Sequence, residues 1–294
     1  MSDFVLSCSS PADLTKEQLE ELDVSYIFFH FQLDGKDYYD DLGKTVPYKD
    51  FFDAMRNGSM TKTSQINVEE YYSYFEEFLK EGKDILHVTL SSGISGTYNS
   101  AMIAKTDLEE KYPDRKIYIV DSLTATGGYG LLVKKLSKLK AEGKSIEECN
   151  QWALDNRLNI QAWIFTSDLT YLIRGGRVSK TSGTIGNLLN ICPMLTFDRE
   201  GKLDTRYKIR GKKKVIKAVV DKVIEQAYDH ENYADEIFIN HADNLEDANA
   251  LVEALCERMP NVKDKITLNW IGNLIGSHTG PGLIGVFFFG NRED

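Results

Sequence analysis

Short apolar runs alternate with amphipathic stretches along this chain, and glycines or Ser/Thr/Asn caps mark the changes. Residues 4–8 are an apolar run that predicts a strand. The chain turns at "SSPADLT", and Thr15 is placed to N-cap a helix through residue 22. "VSYIFFHFQL" is rich in β-formers and meets a turn at Asp34-Gly35. "YKDFFDAM" reads as a helix that stops at Asn57-Gly58. "TKTSQ" reads as a loop, and Asn67 caps a helix rich in Tyr and Phe that ends near Gly82.

The middle of the chain is more regular. "DILHVTL" is a buried strand, "SSGISGT" a turn, and residues 98–110 a helix. "KIYIVD" is a second buried strand, followed by "SLTATGG" and a long helix to Gly143. This βαβ order predicts parallel strands. Ser145 with Glu148 forms a capping box for the next helix. Beyond it come a strand at "AWIFTS", a loop-rich "DLTYLIRGGRVSK" and a hairpin turning near Glu200-Gly201. A helix from Lys212, the strand "EIFIN", a helix to Met259 and the strand "KITLNW" follow. The tail "IGSHTGPGLIGVFFFG" reads as a glycine-rich turn and an apolar strand. The change of character places a division near residue 155, giving units of residues 1–155 and 156–294.

Composition narrows the class. The 294 residues are 42% hydrophobic and 11% aromatic, enough for one large or two medium α/β cores. A formal net charge of -10 argues against nucleic acid or an anionic membrane as the main partner. Cys8, Cys149, Cys192 and Cys256 are far apart and form no CxxC pair, so neither a zinc site nor a disulfide framework is expected. No basic leader and no run of ~18 apolar residues is present, so a cytoplasmic chain without membrane insertion is expected.

Several motifs carry candidate chemistry. "SSGISGT" lies at the carboxyl end of a strand and ahead of a helix, where free N–H groups and the helix dipole favour an anion. An ordinary Gly/Ser turn with a helix cap accounts for the same spacing. Gly93-Ile94-Ser95-Gly96-Thr97 approximates a nucleophile elbow, with threonine where the final glycine belongs. Asp121 and His278 complete the order of a serine hydrolase, which stands as an alternative. A phosphate or nucleotide binder using the glycine loop and Arg177 is a further alternative, but no Walker lysine motif is present. Thr61, Thr63, Ser64 and Gln65 offer hydroxyls and an amide for a carboxylate. Arg174 and Arg177 flank two glycines and suit a carboxylate or phosphate. His278 and Thr279 sit among small residues, where histidine can bond an anion. Arg206, Lys208, Arg210 and residues 212–214 form a basic stretch on an acidic chain, suited to a negatively charged partner.

Together, "PADLT", "TSQ" at 63–65, "LSSGISGTYNSA" at 90–101, "YLIRGGRVS" at 171–179 and "GSHTGPGLIG" at 276–285 resemble the DegV family of bacterial fatty-acid-binding proteins. The matching segments span nearly the whole chain. The resemblance implies two α/β domains, the N-terminal one with a mostly parallel sheet and the C-terminal one with a mixed sheet. A long-chain fatty acid is buried between them. It implies a carboxylate held by Thr63 and Ser95, with Ser92 as the other candidate serine. Ser64, Gly93, His278 and Thr279 lie around it, and Arg177 and Arg210 are left for a partner or phosphate. The implied role is not catalysis: the protein presents the acid to a separate fatty acid kinase, and needs no cofactor or metal. Two departures stand out. Ser7-Cys8-Ser9-Ser10-Pro11 replaces the family's Asp-Ser-Thr turn, and Ile66 stands where proline often follows "TSQ". Burying ~15 methylenes at ~0.8 kcal/mol each sets an upper limit of roughly 12 kcal/mol for the tail. Lost motion reduces it.

Overall fold

The apolar runs of the first half become a parallel sheet. In the computed structural model, which describes residues 4–179 and 190–291, the chain enters as β1 (Phe4–Ser9) and returns through α1 (Lys16–Glu21) to β2 (Val24–Ile27). A hairpin of β3 (His30–Leu33) and β4 (Lys36–Tyr39) turns at Asp34 and Gly35, with φ of 50° and 80°. Two successive positive φ values are the geometry that Asp-Gly supplies to a tight hairpin. The chain continues through α2 (Tyr48–Arg56), β5 (Thr61–Ser64), α3 (Val68–Lys80), β6 (Asp84–Thr89), α4 (Thr97–Lys111) and β7 (Ile117–Asp121). The order β2-β1-β6-β7 is parallel throughout, as helical crossovers require.

The segment "TKTSQ" departs from the expected loop. Residues 61–64 are β5, and they pair antiparallel with β3 in a small sheet of order β4-β3-β5. The run is polar on both faces, so it carries no alternation to reveal a strand; its order comes from backbone pairing to β3. That pairing sends Thr61 and Thr63 to one face.

The second half begins with α5 (Thr126–Ala141) and α6 (Ile146–Asn156). It continues through β8 (Ile160–Phe165), α7 (Thr170–Arg174), β9 (Ile191–Phe197), β10 (Leu203–Arg210), α8 (Lys212–Gln226) and β11 (Ile237–His241). It closes with α9 (Leu245–Arg258), β12 (Ile266–Trp270), α10 (Asn273–Thr279) and β13 (Ile284–Phe289). The sheet order is β10-β9-β8-β13-β11-β12. Only β11 and β12 run parallel, so the sheet is mixed. α5 touches both large sheets and is buried on nearly every side. Gly130 lets it close on the 3₁₀ turn after β1: a Cβ there would stand 2.7 Å from the Ala12 carbonyl.

The three expected caps form: Thr15, Asn67 and Ser145 each make a reciprocal capping box. "GSHT" is not a turn but the last part of α10, which ends where Gly280 takes φ 67°. Among the described residues no helix is long and apolar enough to cross a membrane. Among them, too, no group of three or more His, Cys, Asp or Glu gathers to hold a metal.

Candidate functional site

The loop "SSGISGT" is built by its own first serine. Ser91 is fully buried; its hydroxyl donates to the Gly201 carbonyl (2.7 Å) and accepts from the Gly93 N–H (3.1 Å). The Ile94 and Ser95 N–H groups return to the Ser91 carbonyl. The tip of the β9–β10 hairpin therefore rests on the loop. Gly93 is required there, since a Cβ would lie 2.6 Å from the Gly201 carbonyl oxygen. Helix α4 then starts with no side-chain cap at Gly96, and the Ser95 hydroxyl accepts from the Thr97 N–H at 3.3 Å.

Strand β5 and helix α10 supply the facing groups. Thr61 donates to the Ser277 carbonyl (3.2 Å), which seats α10 against β5. One residue pair further on, the Thr63 hydroxyl and His278 Nε2 share a hydrogen bond of 2.8 Å. Burial and the charge of Arg177 push His278 down to about 4, so the imidazole is neutral at neutral pH. Arg177 itself donates from Nε to the Ile94 carbonyl (3.3 Å) and from its guanidinium to Gly175 (2.6 Å). Burial lowers its affinity for the proton without removing the charge.

These groups border a cavity of about 900 Å³. Thr63, Ser64, Ser92, Gly93, Ser95, His278, Thr279 and Arg177 all line it. Arg210 does not; it stands exposed at the far end of β10. Gln65 lines it too, as do Gly96, Thr126 and Lys202 on the polar side, and Phe29, Leu90, Ile271, Leu274, Leu283 and Phe287 on the apolar side. Gln65 lies in the "TSQ" motif and bonds Ser100 (3.0 Å), which fixes it over Gly96. The apolar residues come from separate elements, and no local pattern gathers them.

The lining is graded. Most of its apolar members are buried, with Phe29, Ile271, Leu283 and Phe287 at 3% exposure or less. Ser64, Gln65, Ser92, Gly96 and Lys202 are exposed. An elongated molecule with one anionic end fits this layout, its head near hydroxyls, N–H groups and one guanidinium, and its body among hydrocarbon.

The hydrolase alternative does not assemble. Asp121 accepts from the Ser92 and Leu123 N–H groups, both at 3.1 Å, and so serves the loop backbone. His278 is engaged with Thr63, and the Ser95 hydroxyl with the Thr97 N–H. A nucleophile–base–orienter chain needs these three side chains bonded in series.

A family model described as an uncharacterised protein of the DegV family matches residues 7–291. A DegV domain-containing protein of Clostridium perfringens is 40% identical over 294 residues, covering 100% of both chains. Among solved structures, a DegV lipid-binding protein from Thermotoga maritima is 28% identical, with a TM-score of 0.82 and full coverage of both chains. A fatty-acid-binding DegV family protein from Thermus thermophilus is 26% identical, with a TM-score of 0.86, over 98% of this chain and 99% of its own.

Proposed function

The chain belongs to the DegV family, and from that premise we propose that it binds a long-chain fatty acid in the 900 Å³ cavity. The observation that carries this reading is the meeting of Thr63, Ser95, His278 and Arg177 on a cavity whose remaining walls are largely buried hydrocarbon. In this reading Thr63 and Ser95 hold the carboxylate, with Ser64, Ser92, Gly93 and Thr279 around it. Neutral His278 completes the hydrogen bonding, and Arg177 supplies the compensating charge. Residues 1–155 then carry most of the seat, and residues 156–294 complete the lipid site. The structural relatives named for lipid or fatty acid binding support it.

The head-group end is the exposed end of the lining. A carboxylate there meets solvent while its tail does not. That arrangement suits handing the carboxyl to a separate fatty acid kinase for acyl-phosphate formation, and we propose this as the protein's role. The chain itself then performs no chemistry.

Protein purified from a bacterial host should yield a long-chain acid on organic extraction and mass spectrometry. Delipidated protein should gain thermal stability with palmitate or oleate, because a ligand that binds only the folded state stabilises it. The reading fails if no acid of about 12 to 20 carbons, the tail length argued above, raises the melting temperature.

A further inference from the structure

A second pocket, of about 630 Å³, shares no lining residue with the first. It lies back to back with it. Phe28 lines the pocket and Phe29 the cavity; Trp270 lines the pocket and Ile271 the cavity. Each pair is adjacent in the chain, so the two spaces adjoin along these residues.

The walls of this pocket are aromatic. Tyr26, Phe28, Tyr39, Tyr48 and Trp270 surround it, with the Tyr48 and Trp270 rings 5.9 Å apart. Its acidic members are Asp13, Glu17 and Asp41. Asp13 is 6% exposed; Oδ1 accepts from the Gly272 N–H (3.1 Å), Oδ2 completes no hydrogen bond of good geometry, and the Thr126 side chain close by offsets part of the burial cost. Asp40 lies behind it, 2% exposed and close enough to raise its proton affinity further. Burial also pushes Asp40 up to about 6, and the Tyr48 hydroxyl feels Asp40, Asp13 and Asp41 together. Two lysines line the same pocket; Lys16 is turned to Glu20 (3.4 Å), and Lys44 is exposed.

We propose that this pocket binds an organic cation, a quaternary ammonium or protonated amine, with its charge toward Asp13 and its body against the aromatic rings. Aromatic faces attract a cation through their quadrupole, and they attract a poorly hydrated organic cation more than sodium. A buried carboxyl on the pocket lining with a second carboxyl behind it is a place where a positive charge removes an unfavourable interaction instead of adding one. A neutral apolar guest gains only the ring contacts.

Choline and its uncharged carbon isostere dimethylbutanol separate these cases. Fluorotryptophan labels the three tryptophans, and Trp270 is the one in the pocket lining. Choline should shift the Trp270 fluorine resonance saturably at constant ionic strength, and dimethylbutanol should bind at least about fivefold more weakly. Asp13→Asn should weaken choline about fivefold, and so should Tyr39→Ala, the latter at a side chain that is 61% exposed. Saturation with palmitate should leave the choline response in place. The proposal is overturned by an absent or unsaturable shift, by equal response to the isostere, or by displacement of choline with palmitate. If Asp13→Asn does not fold, the isostere comparison and Tyr39→Ala decide the matter.

Discussion

In the proposed seat Thr63 has two partners to satisfy, His278 and the carboxylate, and this makes it the most informative residue there. In the structure its hydroxyl bonds His278 at 2.8 Å. A carboxylate bound beside it would accept the one hydrogen of that hydroxyl, and the neutral imidazole would then donate its Nε2–H to the hydroxyl oxygen. Ser95 is engaged more loosely, accepting from the Thr97 N–H at 3.3 Å, so its own hydrogen is free to turn toward a ligand. A hydrogen bond to a charged group is worth about 1.5–3 kcal/mol. Thr63→Val combined with Ser95→Ala should therefore weaken fatty acid binding at least ~tenfold with the fold intact. Titration with a fluorescent fatty acid, alongside circular dichroism, checks both halves of that statement; unchanged affinity removes these residues from the seat. The polar residues of this seat are readable in sequence because each lies in a short motif of unusual composition. Lys202 is not, because it reaches the cavity only through the resting of the β9–β10 tip on Gly93.

Helix α5 shows what an element contributes that no single side chain does. Its first half is hydrophobic or small all round, as a helix between two sheets must be, and its lysines fall in the second half. Gly127 and Gly128 bring its backbone against the side chains of Asn240, Phe287 and Thr124, and Gly130 faces the Ala12 carbonyl, which cannot rotate away. Gly130→Ala should cost about 1–3 kcal/mol of stability by overpacking, despite the better helix propensity of alanine. Urea unfolding measures it: the midpoint should fall with the slope unchanged. A stabilised variant would mean that the turn after β1 yields easily. The long helix is legible from its sequence, as are the βαβ unit, the Asp34-Gly35 hairpin and the three capping boxes, because each rests on local periodicity or local hydrogen bonding. β5 and the helical part of "GSHTGPG" are not legible. The first owes its order to pairing with β3, and the second to packing of α10 against β5. Both are contacts between distant parts of the chain, and they are the two elements that deliver Thr63 and His278.

At the scale of the whole molecule the cations fall into two groups, and the distance between them decides what each can do in the proposed transfer to a kinase. Arg177 lines the cavity beside His278. The basic stretch does not reach it. Leu203 lines the cavity, and Arg210 lies seven residues along β10, which places it ~23 Å away at about 3.3 Å per residue. The stretch is also partly spent, since Arg206 pairs with Asp204 (2.9 Å) and Lys212 with Asp247 (2.8 Å). A Debye length of about 8 Å at physiological salt screens the distant charges from the head group. They retain a role in steering an approaching partner, because steering acts over the whole surface of a chain whose net charge is -10. Arg177, by contrast, stands at the proposed head-group end, where its charge would stabilise the phosphoryl group being transferred to the carboxylate. Reversing exposed Lys213 and Lys214 to glutamate should therefore raise the KM of the kinase for this protein severalfold at low salt. The difference should shrink as salt is added, and kcat should hold. Arg177→Ala should lower kcat with lipid-saturated protein, and salt should not restore it. Steady-state kinetics of acyl-phosphate formation at two ionic strengths, with the lipid-loaded fraction fixed by mass spectrometry, distinguishes the two. Loss of kcat in the lysine reversal would place the basic stretch at the transferring group, against the length of β10. A pure KM effect in Arg177→Ala would make that arginine a docking residue and leave the head group to Thr63, Ser95 and neutral His278 alone.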